Sequence, residues 1–184
     1  YGTGFWQSKL RYQTQDEIME VARGYQERGL PLSVIVVDFF NWPFQGDWRF
    51  DPAYWPDPDK MVGDLKEMGI ELMVSVWPTV EEASENYQEM LELGYLVRSE
   101  AGKRLGQIFN ACFADMTNPD AREYVWSKLK QNYYDKGIRI FWLDEAEPEI
   151  TKYEFSNYRY FLGSVLEVGN LYPRLYASMA YEGM

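Results

Sequence analysis

The sequence predicts an α/β fold in which parallel strands alternate with helices packed outside them. Three observations carry this expectation. Short apolar runs, rich in β-branched residues, recur along the chain and are bounded by Gly, Pro or Asp. These runs are continuous rather than alternating, as in strands covered on both faces. Between them lie segments with apolar residues at helical spacing, so the order reads βαβα, the pattern of a parallel sheet.

Each element has its own signal. Tyr1–Gln7 is an aromatic-rich strand candidate. Thr14 and Glu17 form a capping box, and the helix they open carries Ile18, Val21, Ala22 and Tyr25 on one face before Gly29-Leu30-Pro31 stops it. Ser33–Val37 is the second strand and ends in Asp38. After an aromatic loop, Asp57-Pro58 reads as N-cap and first helical residue of a helix presenting Met61, Leu65 and Met68 and ending at Gly69. Glu71–Trp77 is the third strand, closed by Pro78. Thr79 and Glu82 suggest another capping box, with Tyr87, Met90 and Leu91 as an apolar stripe ending at Gly94. Tyr95–Thr117 is irregular, a hairpin or excursion. Asn118-Pro119 opens a helix with Tyr124, Val125, Leu129 and Tyr133, stopping near Gly137. Ile138–Leu143 is the fourth strand and ends in Asp144. A last helical stretch carries Phe155, Tyr158, Leu162, Val165 and Leu166, and an amphipathic piece follows Gly169 and Pro173. The count is four βα units, read as a single domain over residues 1–184.

The composition excludes several chemistries. With no His and one Cys, neither a zinc site nor a Ser-His-Asp or Cys-His mechanism can be assembled, and no intrachain disulfide can form. No metal or cofactor is expected, so any catalysis is carboxylate chemistry. The net charge of −11 argues against nucleic acid, which needs clustered Lys and Arg. No apolar run approaches the ~20 residues of a membrane span and no signal-type segment is evident, so the expected location is the cytoplasm, without membrane attachment. Aromatics reach 17 %, with seven Trp and fifteen Tyr. They suit a core first, and stacking on sugar rings second.

Ligands in parallel βα architectures bind at the C-terminal ends of the strands. Those ends are read as Trp6, Asp38, Trp77 and Asp144: two acids and two indoles. Each alone has a structural reading, Asp38 as a loop cap and Trp77 as a packed lid. Together they supply what a glycosidase subsite requires, carboxylates for the anomeric centre and hydroxyls, and aromatic faces for the ring. The segment Phe141-Trp142-Leu143-Asp144-Glu145-Ala146-Glu147-Pro148-Glu149 is the most informative. A hydrophobic strand running into four acids within six residues costs stability unless hydrogen bonds or a substrate relieve the repulsion. A solvated helix N-terminus accounts for Glu149 but less well for Asp144 at the strand end.

In these segments the chain resembles glycoside hydrolase family 31, the α-glucosidases and α-xylosidases, over essentially its whole length. Phe5-Trp6-Gln7-Ser8-Lys9 with Arg11-Tyr12 is similar to the family's first barrel strand and the loop after it. Val36-Val37-Asp38 resembles the second strand, whose terminal Asp bonds hydroxyls of the sugar in the −1 subsite. Phe50-Asp51, Trp55-Pro56-Asp57-Pro58 and Asp115 with Thr117-Asn118-Pro119 match further family patterns, while residues 106–114 match poorly. Trp142-Leu143-Asp144 followed by Glu147 resembles the nucleophile motif. The resemblance implies half of a TIM barrel, strands one to four. It implies a retaining glycosidase with Asp144 as catalytic nucleophile and Asp38, Trp77, Trp6 and Trp142 binding substrate. Glu147 then stands as a supporting acid. The implied substrates are α-linked xyloside or glucoside oligosaccharides. The family's acid/base lies beyond the fourth strand, so the chain alone is expected to be nearly inactive.

A second reading, of a different class, is a non-catalytic half-barrel scaffold. Four strands leave two open edges, and pairing of two copies into a barrel-like homodimer would close both.

Overall fold

The computed structural model describes residues 1–102, 111–148 and 155–184. In chain order, β1 (Trp6–Gln7), α1 (Gln15–Glu27), β2 (Val34–Val37), α2 (Pro58–Glu67) and β3 (Glu71–Val76) open the fold. Next come β4 (Thr79–Val80), α3 (Tyr87–Leu93), β5 (Arg98–Ser99) and β6 (Cys112–Phe113). α4 (Pro119–Leu129) continues into one π-helical turn, Lys130–Tyr134, ahead of β7 (Ile140–Leu143). A 3-10 turn, Phe155–Asn157, leads to β8 (Tyr158–Tyr160), β9 (Gly163–Ser164), α5 (Val165–Val168) and α6 (Tyr172–Gly183). The chain forms two compact units. One comprises Tyr1–Pro43, Trp48–Val76 and Leu129–Trp142; the other comprises Phe44–Asp47, Trp77–Lys128 and Leu143–Met184.

The first unit is built on a sheet with strand order β1-β2-β3-β7. β1 pairs with β2 and β2 with β3, both parallel, with Val34 opposite Glu71 and Val37 opposite Val74. All four residues of β2 are buried, which is why this strand is a continuous Val-Ile-Val-Val run. Thr14 caps α1 as expected: its hydroxyl accepts the Glu17 amide at 3.2 Å, and the Glu17 carboxylate reaches back to the Gln13 amide. That backbone bond leads the causes that hold the exposed Glu17 carboxyl below its ordinary pKa. Asp57 caps α2 by accepting the Lys60 amide, with Pro58 as the first helical residue. Ile18 and Ala22 of α1 and Met61 and Leu65 of α2 are fully buried, the apolar stripes the spacing predicts.

Four expectations are corrected. The first strand is shorter than Tyr1–Gln7, because Gly4 N closes a turn onto Tyr1 O. Thr79 opens no helix: Thr79-Val80, both buried and β-branched, pair antiparallel with Phe113 and Cys112, and α3 begins only after Asn86. The stretch from Phe155 to Leu166 is largely not helical. Tyr158-Arg159-Tyr160 alternates buried, exposed, buried, the period of a strand, and pairs with both β5 and β9; only Val165–Val168 is helix. The fourth strand is not covered on both faces: Ile140, Phe141 and Leu143 are half-buried and Trp142 is 48 % exposed. Among the described residues β7 pairs on one side only, with β3.

The second unit holds the described part of the excursion, where Leu96 bridges Ala114 and Val97 N donates to Phe113 O, while β4 lies on β6; residues 103–110 lie outside the described residues. Gly46 is required here. Its φ is +95° and a Cβ would stand 2.9 Å from Val80 Cα. No helix among the described residues is long and apolar enough to cross a membrane.

Candidate active site

Asp38 follows the last residue of β2. Its Oδ1 accepts the Phe39 amide at 2.8 Å, and among the described residues its Oδ2 accepts nothing. The side chain is half-buried, so one carboxylate oxygen is fixed and the other can accept from a hydroxyl. Behind it the chain turns sharply: Phe40 sits at φ +56° with its ring edge-on to both Phe39 and Trp42, and the Arg11 guanidinium lies 5.5 Å from its centroid.

Trp6 is not at a strand end. It opens β1 and pairs with Val34, the first residue of β2, about 13 Å short of Asp38 at some 3.3 Å per residue. Its indole is 41 % exposed and donates to Tyr1 O. Trp142, on β7, presents an exposed ring, as a stacking surface needs.

In the second unit, Trp77 directly follows β3 and is buried, so it serves as packing more than as an open platform. Asp144 directly follows β7. Its side chain is half-buried and accepts no hydrogen bond among the described residues. Tyr176 of α6 is fully buried; burial first, and then the negative charge of Asp144, hold its hydroxyl far above the usual phenol pKa. Tyr176 therefore remains neutral. Glu145 stands at φ +54°, a left-handed conformation costly for a residue with a Cβ and concentrated at functional sites. Glu147 is exposed, and no hydrogen bond joins it to Asp144. Glu149 lies outside the described residues.

The sequence reading missed how the β8–β9 turn is anchored. Asp115 is buried, and its Oδ1 accepts both the amide and the hydroxyl of Thr117, at 3.0 and 2.6 Å. Its Oδ2 accepts the Phe161 amide at 2.6 Å, while Thr117 Oγ1 accepts the Leu162 amide. Tyr172 OH donates to Ala114 O. The tetrapeptide 114–117 thus pins the β8–β9 turn and the start of α6. Burial raises the Asp115 pKa against these bonds. The signal available was the run Ala114-Asp115-Met116-Thr117, small or apolar residues around an acid and a hydroxyl two apart.

Comparison with known proteins follows the same lines. Residues 1–184 match the model of the glycosyl hydrolases family 31 TIM-barrel domain. An uncharacterized family 31 glucosidase, ORF2, of Pseudescherichia vulneris is 56 % identical over 99 % of this chain and 35 % of its own length. Alpha-xylosidase A of Aspergillus niger is 36 % identical over 100 % of this chain and 28 % of its own. Among solved structures, an alpha-xylosidase from a soil metagenome complexed with xylose superposes with a TM-score of 0.94. It is 63 % identical, with 98 % of this chain and 27 % of the other covered. The chain spans about a third of the length of these curated relatives. It belongs to glycoside hydrolase family 31 and is a fragment of that family's TIM barrel.

Proposed function

We propose that the protein carrying this chain is a retaining α-glycosidase acting on α-linked xylosides or glucosides, with Asp144 as its nucleophile. The observation that carries this reading is the position of Asp144 itself: directly after β7, half-buried, with no hydrogen bond to its carboxylate among the described residues. Attack by one of its oxygens on the anomeric carbon expels the glycosidic oxygen, which takes a proton from a second acid. Water then hydrolyses the glycosyl ester, giving its proton to the same acid. Asp38, through Oδ2, holds a hydroxyl of the sugar undergoing attack, and Trp142 offers an exposed ring. Glu147 supports the nucleophile by charge alone. Neither Glu145 nor Glu147 serves as the proton donor, because one and three residues of chain cannot carry a carboxyl to the far side of the bond being broken. The donor therefore comes from outside these residues. The name and bound xylose of the metagenomic relative support xylosides over glucosides.

A 5-fluoroglycosyl fluoride tests the assignment. Mass spectrometry of the digested, inactivated enzyme is expected to find the label on Asp144; a label on another residue, with Asp144 unmodified, refutes it.

For the isolated chain, the half-exposed β7 supports the second reading, association of two copies through open strand edges. Sedimentation at micromolar concentration is expected to give a dimer, and a folded, concentration-independent monomer rules it out.

A further inference from the structure

The loop that leaves Asp38 is fastened from behind by two consecutive residues of the π-helical turn, Asn132 and Tyr133. Tyr133, 1 % exposed, donates its hydroxyl to Asn41 Oδ1 at 3.0 Å. Asn41, equally buried, turns its Nδ2 onto the backbone carbonyl of Asp38 at 3.1 Å. Its own carbonyl accepts the Asp51 amide at 2.8 Å. Asn132 Nδ2 donates to the carbonyl of Trp48, a buried residue at φ +46°. The Tyr133 ring stands edge-on to Phe50 at 5.1 Å. Every polar atom of the Asn41 side chain is thus engaged, and one of its bonds ends on the residue that carries the sugar-binding carboxylate.

The buried amide has a single orientation, because flipping it would set its oxygen against the Asp38 carbonyl oxygen, which can only accept. The backbone of Asp38 is held by Asn41, and its carboxylate by the Phe39 amide. Two residues held at positive φ, Phe40 and Trp48, flank Asn41 in the loop and need such constraints to persist. The π turn itself is a costly irregularity, of the kind that gathers near functional sites.

We infer that Asn41 and Tyr133 are positioning residues for sugar binding: the Tyr133–Asn41–Asp38 relay fixes where the Asp38 carboxylate meets the substrate hydroxyl. The inference rests on the proposed role of Asp38. Neither Asn41 nor Tyr133 touches substrate; both act through Asp38.

The test is a double-mutant cycle on the whole enzyme, read by titration with xylose. Tyr133→Phe keeps the ring and its contact with Phe50 and deletes one hydrogen bond. It is expected to weaken xylose binding about five-fold, the factor one net hydrogen bond of ordinary strength represents. In an Asp38→Asn background the same change is expected to cost less than about two-fold, since the group being positioned is already impaired. A Tyr133→Phe loss equal in both backgrounds, or no loss while Asp38→Asn weakens binding, overturns the relay. If Asp38→Asn leaves xylose affinity unchanged, it is the assignment of Asp38 that fails. Hydrogen exchange then decides the relay: faster exchange at Phe39 and Asp51 in Tyr133→Phe upholds it as the loop's anchor, and unchanged exchange overturns it.

Discussion

Asp38 and Asp144 each follow directly on a strand, yet the chain treats them differently. One oxygen of Asp38 is bound to the next amide, and its backbone is held by Asn41, which Tyr133 holds in turn. Asp144 has no hydrogen bond to its carboxylate among the described residues and is succeeded by Glu145 in a left-handed conformation. The difference suits the two roles proposed for them. A group that recognises a hydroxyl gains from having one oxygen fixed, because position sets its selectivity. A group that must form a covalent bond to carbon loses reactivity for every hydrogen bond that stabilises its ground state. The strands that carry them differ as well: β2 is buried throughout, β7 half-exposed.

The largest expected effect sits on the unencumbered acid. Asp144→Ala is expected to reduce turnover of an aryl α-xyloside by the whole enzyme to background, with the urea midpoint nearly unchanged, because its carboxylate makes no hydrogen bond among the described residues. Asp38→Ala removes one bond from a sugar hydroxyl to a charged acceptor, worth about 1.5–3 kcal/mol, and is expected to lower kcat/KM by roughly 10- to 150-fold. Equal losses at the two positions would erase the distinction between them.

The strand comparison is tested by stability. Ile35→Ala, at a fully buried site in β2, is expected to cost about 2–5 kcal/mol of unfolding free energy. Phe141→Ala, half-buried on β7, is expected to cost clearly less, since part of its ring is already in water. Urea unfolding of the two variants decides it, and a larger cost at Phe141 would mean that β7 is covered in solution.

Much of the first unit was legible because its signals are local. The Thr14 and Asp57 caps, the Val-Ile-Val-Val run and the i, i+4 stripes of α1 and α2 depend on neighbours within a few residues. The second unit was harder. Thr79 and Glu82 have the spacing of a capping box, but the buried pairing of Thr79-Val80 with β6 overrides it. Likewise the apolar residues from Phe155 to Leu166 fit a helix on paper, and the distant partner β5 draws Tyr158–Tyr160 into a strand. The site divided in the same way. That Asp38 and Asp144 each follow a strand could be read from the sequence alone. Trp6 could not, because the register of β1 sets its row, nor could the burial of Trp77. Asn41 and Tyr133 stand 92 residues apart, so no local pattern could announce their bond.

The smallest expected effect concerns a third acid, Asp115, which ties the β8–β9 turn of the unit containing Asp144. Three hydrogen bonds favour its ionised form, and burial opposes them more strongly, so its folded pKa lies above the ordinary 3.8. The sign follows from linkage. A folded pKa raised above the unfolded one means that the folded state holds the proton more tightly. The contribution is therefore fully present below 3.8 and is lost as pH rises through the folded value. Asp115→Asn provides the reference, since it does not titrate and every other acid is common to both proteins. Urea unfolding of the pair at steps from about pH 3.5 to 6.5 is expected to show the native protein losing stability relative to Asp115→Asn as pH rises, then levelling off. The variant also turns an amide NH₂ toward the Phe161 amide, a fixed offset that leaves the slope untouched. A difference that grows in favour of the native protein with rising pH would mean that the hydrogen bonds outweigh burial at Asp115, and that the clamp is strongest when charged.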